Sequence, residues 1–277
     1  MSPTGSAPAR EPKLGGMALA NGLLVHDHDR WAAAVRDHEG NLKVASGRAP
    51  KIDLGRLGRF PLIRGVIRMA EALAVLPAMR RRLPQARLAM EDRRGLIILL
   101  LGALIATIAR RKIPSVLAQE AVGSSVGLIP ALLLFRDSRV AVWHGVEHKC
   151  IAAYEAGGID AVDAAEDHAK EHDRCGSNLV LPMLLTGILV NAAVRSVVRK
   201  PGPLTRTLAG AAAVGVAVEA FAYATKHPGS PPARAIHGVG RQIQKRFVTK
   251  EPSPGDLVVG QAALETLLRP RLRAEEE

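Results

Sequence analysis

Residues 95–109 read GLIILLLGALIATIA, an uncharged apolar run with Arg93-Arg94 before it and Arg110-Arg111-Lys112 after it. A full bilayer crossing takes about 20 apolar residues. This run is shorter, so it spans only with snorkelling arginines, a thinned bilayer or a re-entrant path. Three more stretches share its character. Residues 116–135 carry Gln119 and Glu120 near their start, and Gly123 and Gly127 at the spacing of a close-packing face. Residues 179–198 read LVLPMLLTGILVNAAVRSVV, and residues 204–224 are rich in Ala and Gly with Glu219 inside. Taken singly, each would also fit a buried helix of a soluble all-α protein. Four in one chain, flanked by Arg or Lys, favour a mainly α, multi-pass membrane protein with about four hydrophobic spans and the lipid bilayer as its partner.

Composition agrees with that reading. Hydrophobic residues make up 48% of the 277, yet aromatics only 3%, so helices must pack through Leu, Ile, Val and Ala. The formal charge is +12. Single-stranded nucleic acid sites need stacking aromatics beside their basic residues, and these are scarce here. The charge therefore points to anionic lipid headgroups and away from nucleic acid.

Outside the spans, residues 1–16 read as a disordered tail without a signal core. Residues 17–59 read as a small β-rich region, with MALANGLLVH, WAAAVRD, a turn at His38-Glu39-Gly40, and NLKVAS. Residues 60–94 form a basic amphipathic helical region, with Phe60, Ile63, Ile67, Ala70, Leu73 and Ala74 at helical spacing. The spans then pair as 95–135 and 179–226. Residues 227–277 make a basic tail with a C-terminal helix beginning near DLVVGQAALETLL. If all four spans cross, the N-terminal region, residues 136–178 and the C-terminal tail share one side. The Arg-rich 56–94 stretch makes that side cytoplasmic, and Arg110-Arg111-Lys112 then falls on the other.

The chemistry lies in the polar segment 136–178, read as a helical hairpin. Its first helix covers about 139–156 and stops at Gly157-Gly158; its second starts near Asp160 and ends near His172. His144 and His148 stand at i and i+4 on one helix face, a spacing that can chelate a divalent ion. Neutral imidazoles suit Zn2+, with Fe2+ or Mn2+ as alternatives if carboxylates join. Glu147 between them can be a ligand, a partner of a ligand, or the general base of an H-x-x-E-H site. His172 and Cys175 are the further donors. Four ligands would close the site as a structural one; three would leave a position beside Glu147 for catalysis. Glu155 is too far along the helix to reach the same ion. His26 and His28 read as a polar turn, and Cys150 as packing.

These residues resemble a known family. WHGVEHKCIAAYEAG and HDRCGSNLVL, together with FPLIRGVIRMAEAL at 60–73 and RQIQKRFVTKEP at 241–252, look like the YqhQ-like family of bacterial membrane proteins. That family is of unknown function and is described as predicted metal-dependent enzymes. Two departures stand out. ANGLLVHD at 20–27 replaces an apolar, Met-rich motif ending in Arg-Gly, and Cys150 replaces a small hydroxyl residue. The resemblance implies a bacterial cell membrane setting. The expected function is then a metal-dependent hydrolase with zinc on His144 and His148 and Glu147 as base, acting on a substrate the residues do not name, whereas a site closed by all four of His144, His148, His172 and Cys175 belongs to a structural role. The alternative is a non-enzymatic scaffold whose metal clamps the hairpin for a membrane protein partner. A transporter built on Glu120 and Glu219 is a third class.

Overall fold

Four short antiparallel strands open the chain: β1 (Gly15–Ala18), β2 (Gly22–His26), β3 (Arg30–Arg36) and β4 (Leu42–Arg48), ordered β1-β2-β3-β4. The computed structural model describes residues 12–275 apart from 57, 59, 89, 90, 92, 112, 137 and 199, so most of the expected tail lies outside the described residues. The run MALANGLLVH is two strands, turned at Ala20-Asn21, with the Leu19 N–H donating to the Gly22 carbonyl at 2.8 Å. The turn between β3 and β4 is built on Asp37, which accepts the Glu39 and Asn41 N–H groups, and on Gly40 at φ 86°.

Ala32, Ala33 and Ala34 are weak strand formers in isolation. Here they are buried because the sheet is covered on both faces. Leu23, Val25, Ala32 and Ala34 face α4 (Arg139–Gly157) and α8 (Pro254–Glu275). Leu24, Trp31, Ala33 and Val35 face Val75, Met79 and Leu83 at the end of α1 (Ile63–Arg82). The alternation of side chains along each strand thus feeds two cores, and the small alanines let both helix layers approach closely.

The second body is a row of four helices. These are α2 (Arg93–Arg111), α3 (Val116–Arg136), α5 (Val180–Val197) and α6 (Pro203–Lys226), each packed on the next in that order. Its interior is small-residue. A Cβ on Gly102 of α2 would lie 2.4 Å from Pro130 Cγ of α3. Ala209, Ala213, Gly215, Ala217 and Ala224 are the buried residues of α6. The Thr186 hydroxyl of α5 donates to the Ala213 carbonyl at 2.9 Å. Its exterior is large and apolar: Leu96, Ile97, Leu100, Leu101, Leu104, Ile105 and Ile108 of α2 are all exposed. Among the described residues two helices are long and apolar enough to cross a membrane, Gly176–Val197 and Pro203–Lys226, and only 17% and 28% of their apolar windows are buried. The apolar part of α2 is shorter, Leu96–Ile108.

The two carboxylates inside this row are paired with cations from neighbouring elements. Arg195 of α5 meets Glu120 of α3 at 2.9 Å. Arg64 of α1 holds Glu219 of α6 through two hydrogen bonds. A charge-neutral pair is how an apolar layer retains such groups.

The polar segment departs from a helical hairpin. After α4, residues Ile159–Asp167 form a 3-10 helix, followed by irregular chain. The cause is periodicity: Ile159, Val162 and Ala165 recur every third residue, matching three residues per turn, and Val162 and Ala165 are buried. The chain closes through α7 (Pro231–Ile243), a π-helical turn at Gln244–Val248, and α8.

Candidate metal centre

Three elements converge on one face of α4. The helix presents His144 and His148, the turn before α5 presents Cys175, and the chain after α7 passes alongside. Gly145 makes that passage feasible, since a Cβ there would sit 2.1 Å from the Lys250 carbonyl oxygen. The Lys250 N–H donates to the Ala141 carbonyl at 2.8 Å, which fixes the crossing. Glycine inside a helix costs about 1 kcal/mol relative to alanine, so Gly145→Ala would stabilise an ordinary helix. Here it must displace backbone, and we expect a net loss of about 1–3 kcal/mol, read as a lowered thermal midpoint. An unchanged or raised midpoint would contradict the crossing.

The imidazoles are oriented by backbone carbonyls. His144 donates from Nδ1 to the Val248 carbonyl at 2.9 Å, and His148 from Nδ1 to the Lys170 carbonyl at 2.5 Å. Both Nε2 atoms are thereby left as acceptors pointing inward, as a carbonyl on the far nitrogen orients a metal-binding histidine. The Cys175 thiol reaches His144 Nε2 at 3.2 Å. His148 Nε2 is buried with no hydrogen-bond partner among the described residues. One donor atom from each of His144, His148 and Cys175 lies within 4.8 Å of the others.

The electrostatics follow from burial. Desolvation holds the His148 imidazole well below its usual value, with the neighbouring His144 and His172 adding to it. Burial pushes the Cys175 thiol up, against the hydrogen bonds from Ser177. The imidazole of His148 is thus in its ligating form. Glu147 is 7% exposed and makes no hydrogen bond among the described residues. Burial raises its carboxyl to about 7, against the charge of His144. It packs on β1, where a Cβ on Gly16 would stand 2.6 Å from its carboxyl carbon.

His172 does not join the three. Its ring centroid is 5.8 Å from that of His148. Its Nε2 faces Glu155 Oε2 at 3.1 Å, and its Nδ1 accepts the Arg174 N–H at 3.2 Å. Arg174 also pairs with Glu155. Glu155 is therefore neither a ligand nor simply solvated; it occupies the histidine that spacing had offered to the metal. Cys150 is buried against Val146 and Gly260, its thiol pushed up to about 12 by burial. His26, the last residue of β2, and His28, in the turn after it, line a separate cavity with Arg68 and Glu71, and Asp27 in that turn accepts the Asp29 and Arg30 N–H groups.

Several supporting residues carry no motif of their own. Buried Gln244 clamps the loop holding Cys175, accepting the His172 N–H at 2.7 Å and donating to the His172 carbonyl at 3.1 Å. Asn178 donates to the Asp173 carbonyl at 2.7 Å. Lys149, next to His148 in the chain, meets Glu251 at 2.6 Å. A cavity of about 520 Å³ lined by Glu155, Glu171, His172, Asp173, Arg174 and Arg241 opens beside His172.

Fold and cluster together define a mainly helical protein with an N-terminal sheet and a His2Cys group beside an apolar helix row. Residues 126–270, more than half of the chain, match the family described as "Protein of unknown function (DUF1385)", and the chain belongs to it. It is also 23% identical to "Uncharacterized protein YqhQ" of Bacillus subtilis (strain 168), over 93% of each chain. No solved structure matches it.

Proposed function

We propose that this is a bacterial multi-pass membrane protein in which His144, His148 and Cys175 bind a zinc ion and Glu147 serves hydrolytic chemistry beside it. The observation that carries the metal is the buried His148 Nε2, without a hydrogen-bond partner among the described residues and close to two other donors. A buried polar nitrogen left unsatisfied costs about 1–3 kcal/mol, and a cation is the partner this donor set suits. Two imidazoles and a thiolate favour zinc over Fe2+ or Mn2+, which take more oxygen ligands.

Bound there, the ion would supply Lewis acidity toward an oxygen of substrate or water. The remaining work falls to the chain. Val248 and Lys170 carbonyls hold the ring tautomers. Glu147, buried and without a hydrogen bond among the described residues, stands ready to take and return a proton. His172 and Arg174 line the neighbouring cavity through which a polar substrate group would arrive. With His172 engaged by Glu155, three protein donors leave a coordination position open, which favours the enzyme over the structural scaffold. A Cys175–His144 nucleophilic dyad fits less well, because it gives His148 Nε2 nothing to do.

The membrane reading rests on the outward Leu and Ile side chains of α2, α3, α5 and α6. These four are the proposed spans, and the apolar part of α2, Leu96–Ile108, is short for a crossing. The sheet, the cluster and α8 lie on the side carrying the Arg-rich 56–94 stretch, which makes that side cytoplasmic.

Metal analysis of the purified protein tests the site. Wild type should carry one zinc per chain, and His144→Ala and Cys175→Ser should lose it. Unchanged metal in His144→Ala would sink the proposal. Cobalt(II)-loaded protein then separates the two roles: added thiocyanate shifts the visible bands of an open site and leaves a closed four-ligand site unaltered.

A further inference from the structure

The chain before α1 carries exposed apolar side chains. Phe60 is 59% exposed, Leu54 49%, Leu62 41% and Ile52 39%. They do not sit on a free surface loop. The Leu62 carbonyl oxygen lies 2.7 Å from where a Cβ on Gly215 of α6 would be, and Gly65 meets Val218 in the same way. One turn along, Arg64 grips Glu219. The turn is closed by the Arg64 N–H donating to the Phe60 carbonyl at 3.1 Å. Leu62 holds a φ of 72°, a left-handed conformation rare for leucine, at the point where its backbone meets α6.

The level of this contact along α6 is informative. Tyr223, exposed and stacked on His227, marks the polar end of the helix. Gly215 is eight residues earlier, about 12 Å deeper at about 1.5 Å per residue. Interfacial segments bury their apolar faces about 5–10 Å into a bilayer. From that depth α1 climbs to the sheet, where Val75 and Met79 join the core. Arg64 enters the apolar layer neutralised by Glu219, and Arg68, one turn higher, is exposed at headgroup level.

We propose that Leu54, Phe60 and Leu62 form a lipid-inserted wedge, seated through Leu62 against α6, that fixes the depth of the sheet and metal centre over the bilayer, while Ile52, bonded to Glu71 further up α1, stays above it. The occupant of this surface is the acyl region of the membrane, continuous with the lipid-facing side of α6. The inference rests on the membrane reading above, and the test separates the two.

Phe60→Trp and Leu54→Trp are placed in phosphatidylcholine–phosphatidylglycerol vesicles with or without brominated acyl chains, beside Leu189→Trp on α5 as the span control. The native Trp31 and Trp143 are buried, at 1% and 2% exposure, and contribute a constant background. Brominated lipid should remove most of the emission added at positions 54, 60 and 189, and aqueous acrylamide little of it. Quenching at 189 with acrylamide-sensitive emission at 54 and 60 overturns the wedge alone. Emission at 54 and 60 reached by neither quencher means that protein covers the face, which also overturns it. No lipid quenching at 189 overturns the membrane reading and the wedge with it.

Discussion

His148→Ala will abolish stoichiometric zinc binding and lower the thermal midpoint of the zinc-supplemented protein to that of chelator-treated wild type. Zinc bound by small protein sites contributes about 10–16 kcal/mol at neutral pH. Shared among three or four donors, each is worth about 2.5–5 kcal/mol, which is about 10²–10⁴ in affinity. His148 is the donor with the least alternative: its Nδ1 is committed to the Lys170 carbonyl and its Nε2 has no other partner. The same substitution unties Lys170, and with it the loop that carries Cys175. His172→Ala is the contrast. Both nitrogens of that ring are occupied by Glu155 and the Arg174 N–H, so zinc content should stay at the wild-type level. Equal metal in wild type and His148→Ala, or loss of metal in His172→Ala, would require a different ligand set. Because stabilisation by a ligand depends on its free concentration, the midpoints must be compared at one fixed zinc activity.

What could be read from residues alone was local spacing. His144 and His148 are one helical turn apart, and that geometry is independent of the rest of the fold. Cys175 follows 27 residues after His148, across a segment whose path no spacing rule determines. His172, three residues before Cys175, looked equally available. Only the fold reveals that Glu155, two turns beyond His148 on α4, reaches it. The orienting groups at Val248 and Lys170 are backbone carbonyls, which any residue type would supply, so they leave no signature. Gly145 and Gly16 act by having no side chain, and a glycine's crowding partner is invisible until the chain is folded. The segment after Asp160 shows the limit of period counting. Its apolar residues fit a 3-10 helix as well as a short stretch of α-helix, and burial of Val162 and Ala165 against α4 and α8 decides between them. The Ala-rich strands were weak by propensity and became strands because both faces of the sheet are covered.

Replacing Leu100, Leu104 and Leu189 together by lysine will remove the protein from the membrane fraction. Each side chain is among the most exposed apolar groups of the helix row, at 61%, 55% and 61%. Each lies near the middle of its helix, α2 or α5, where a lysine cannot easily reach the headgroups. Exposed leucines on a water-soluble protein behave oppositely. Their replacement by lysine there changes stability by about 0.5 kcal/mol or less and improves solubility. In a bilayer each lysine near the centre of a span costs about 2.5–3.5 kcal/mol. Three sum to about 8–10 kcal/mol, comparable with the whole stability of a typical domain, about 5–15 kcal/mol. The two environments therefore give opposite signs for one triple variant. Wild type should sediment with membranes and resist alkaline carbonate, and the variant should be degraded or fail to insert. Lysines at Leu42 and Val44 on β4, also exposed but on the sheet, should have little effect. A triple variant that accumulates as a stable soluble protein would show that water, not lipid, surrounds α2 and α5. The outward leucines would then have to be covered by another protein surface.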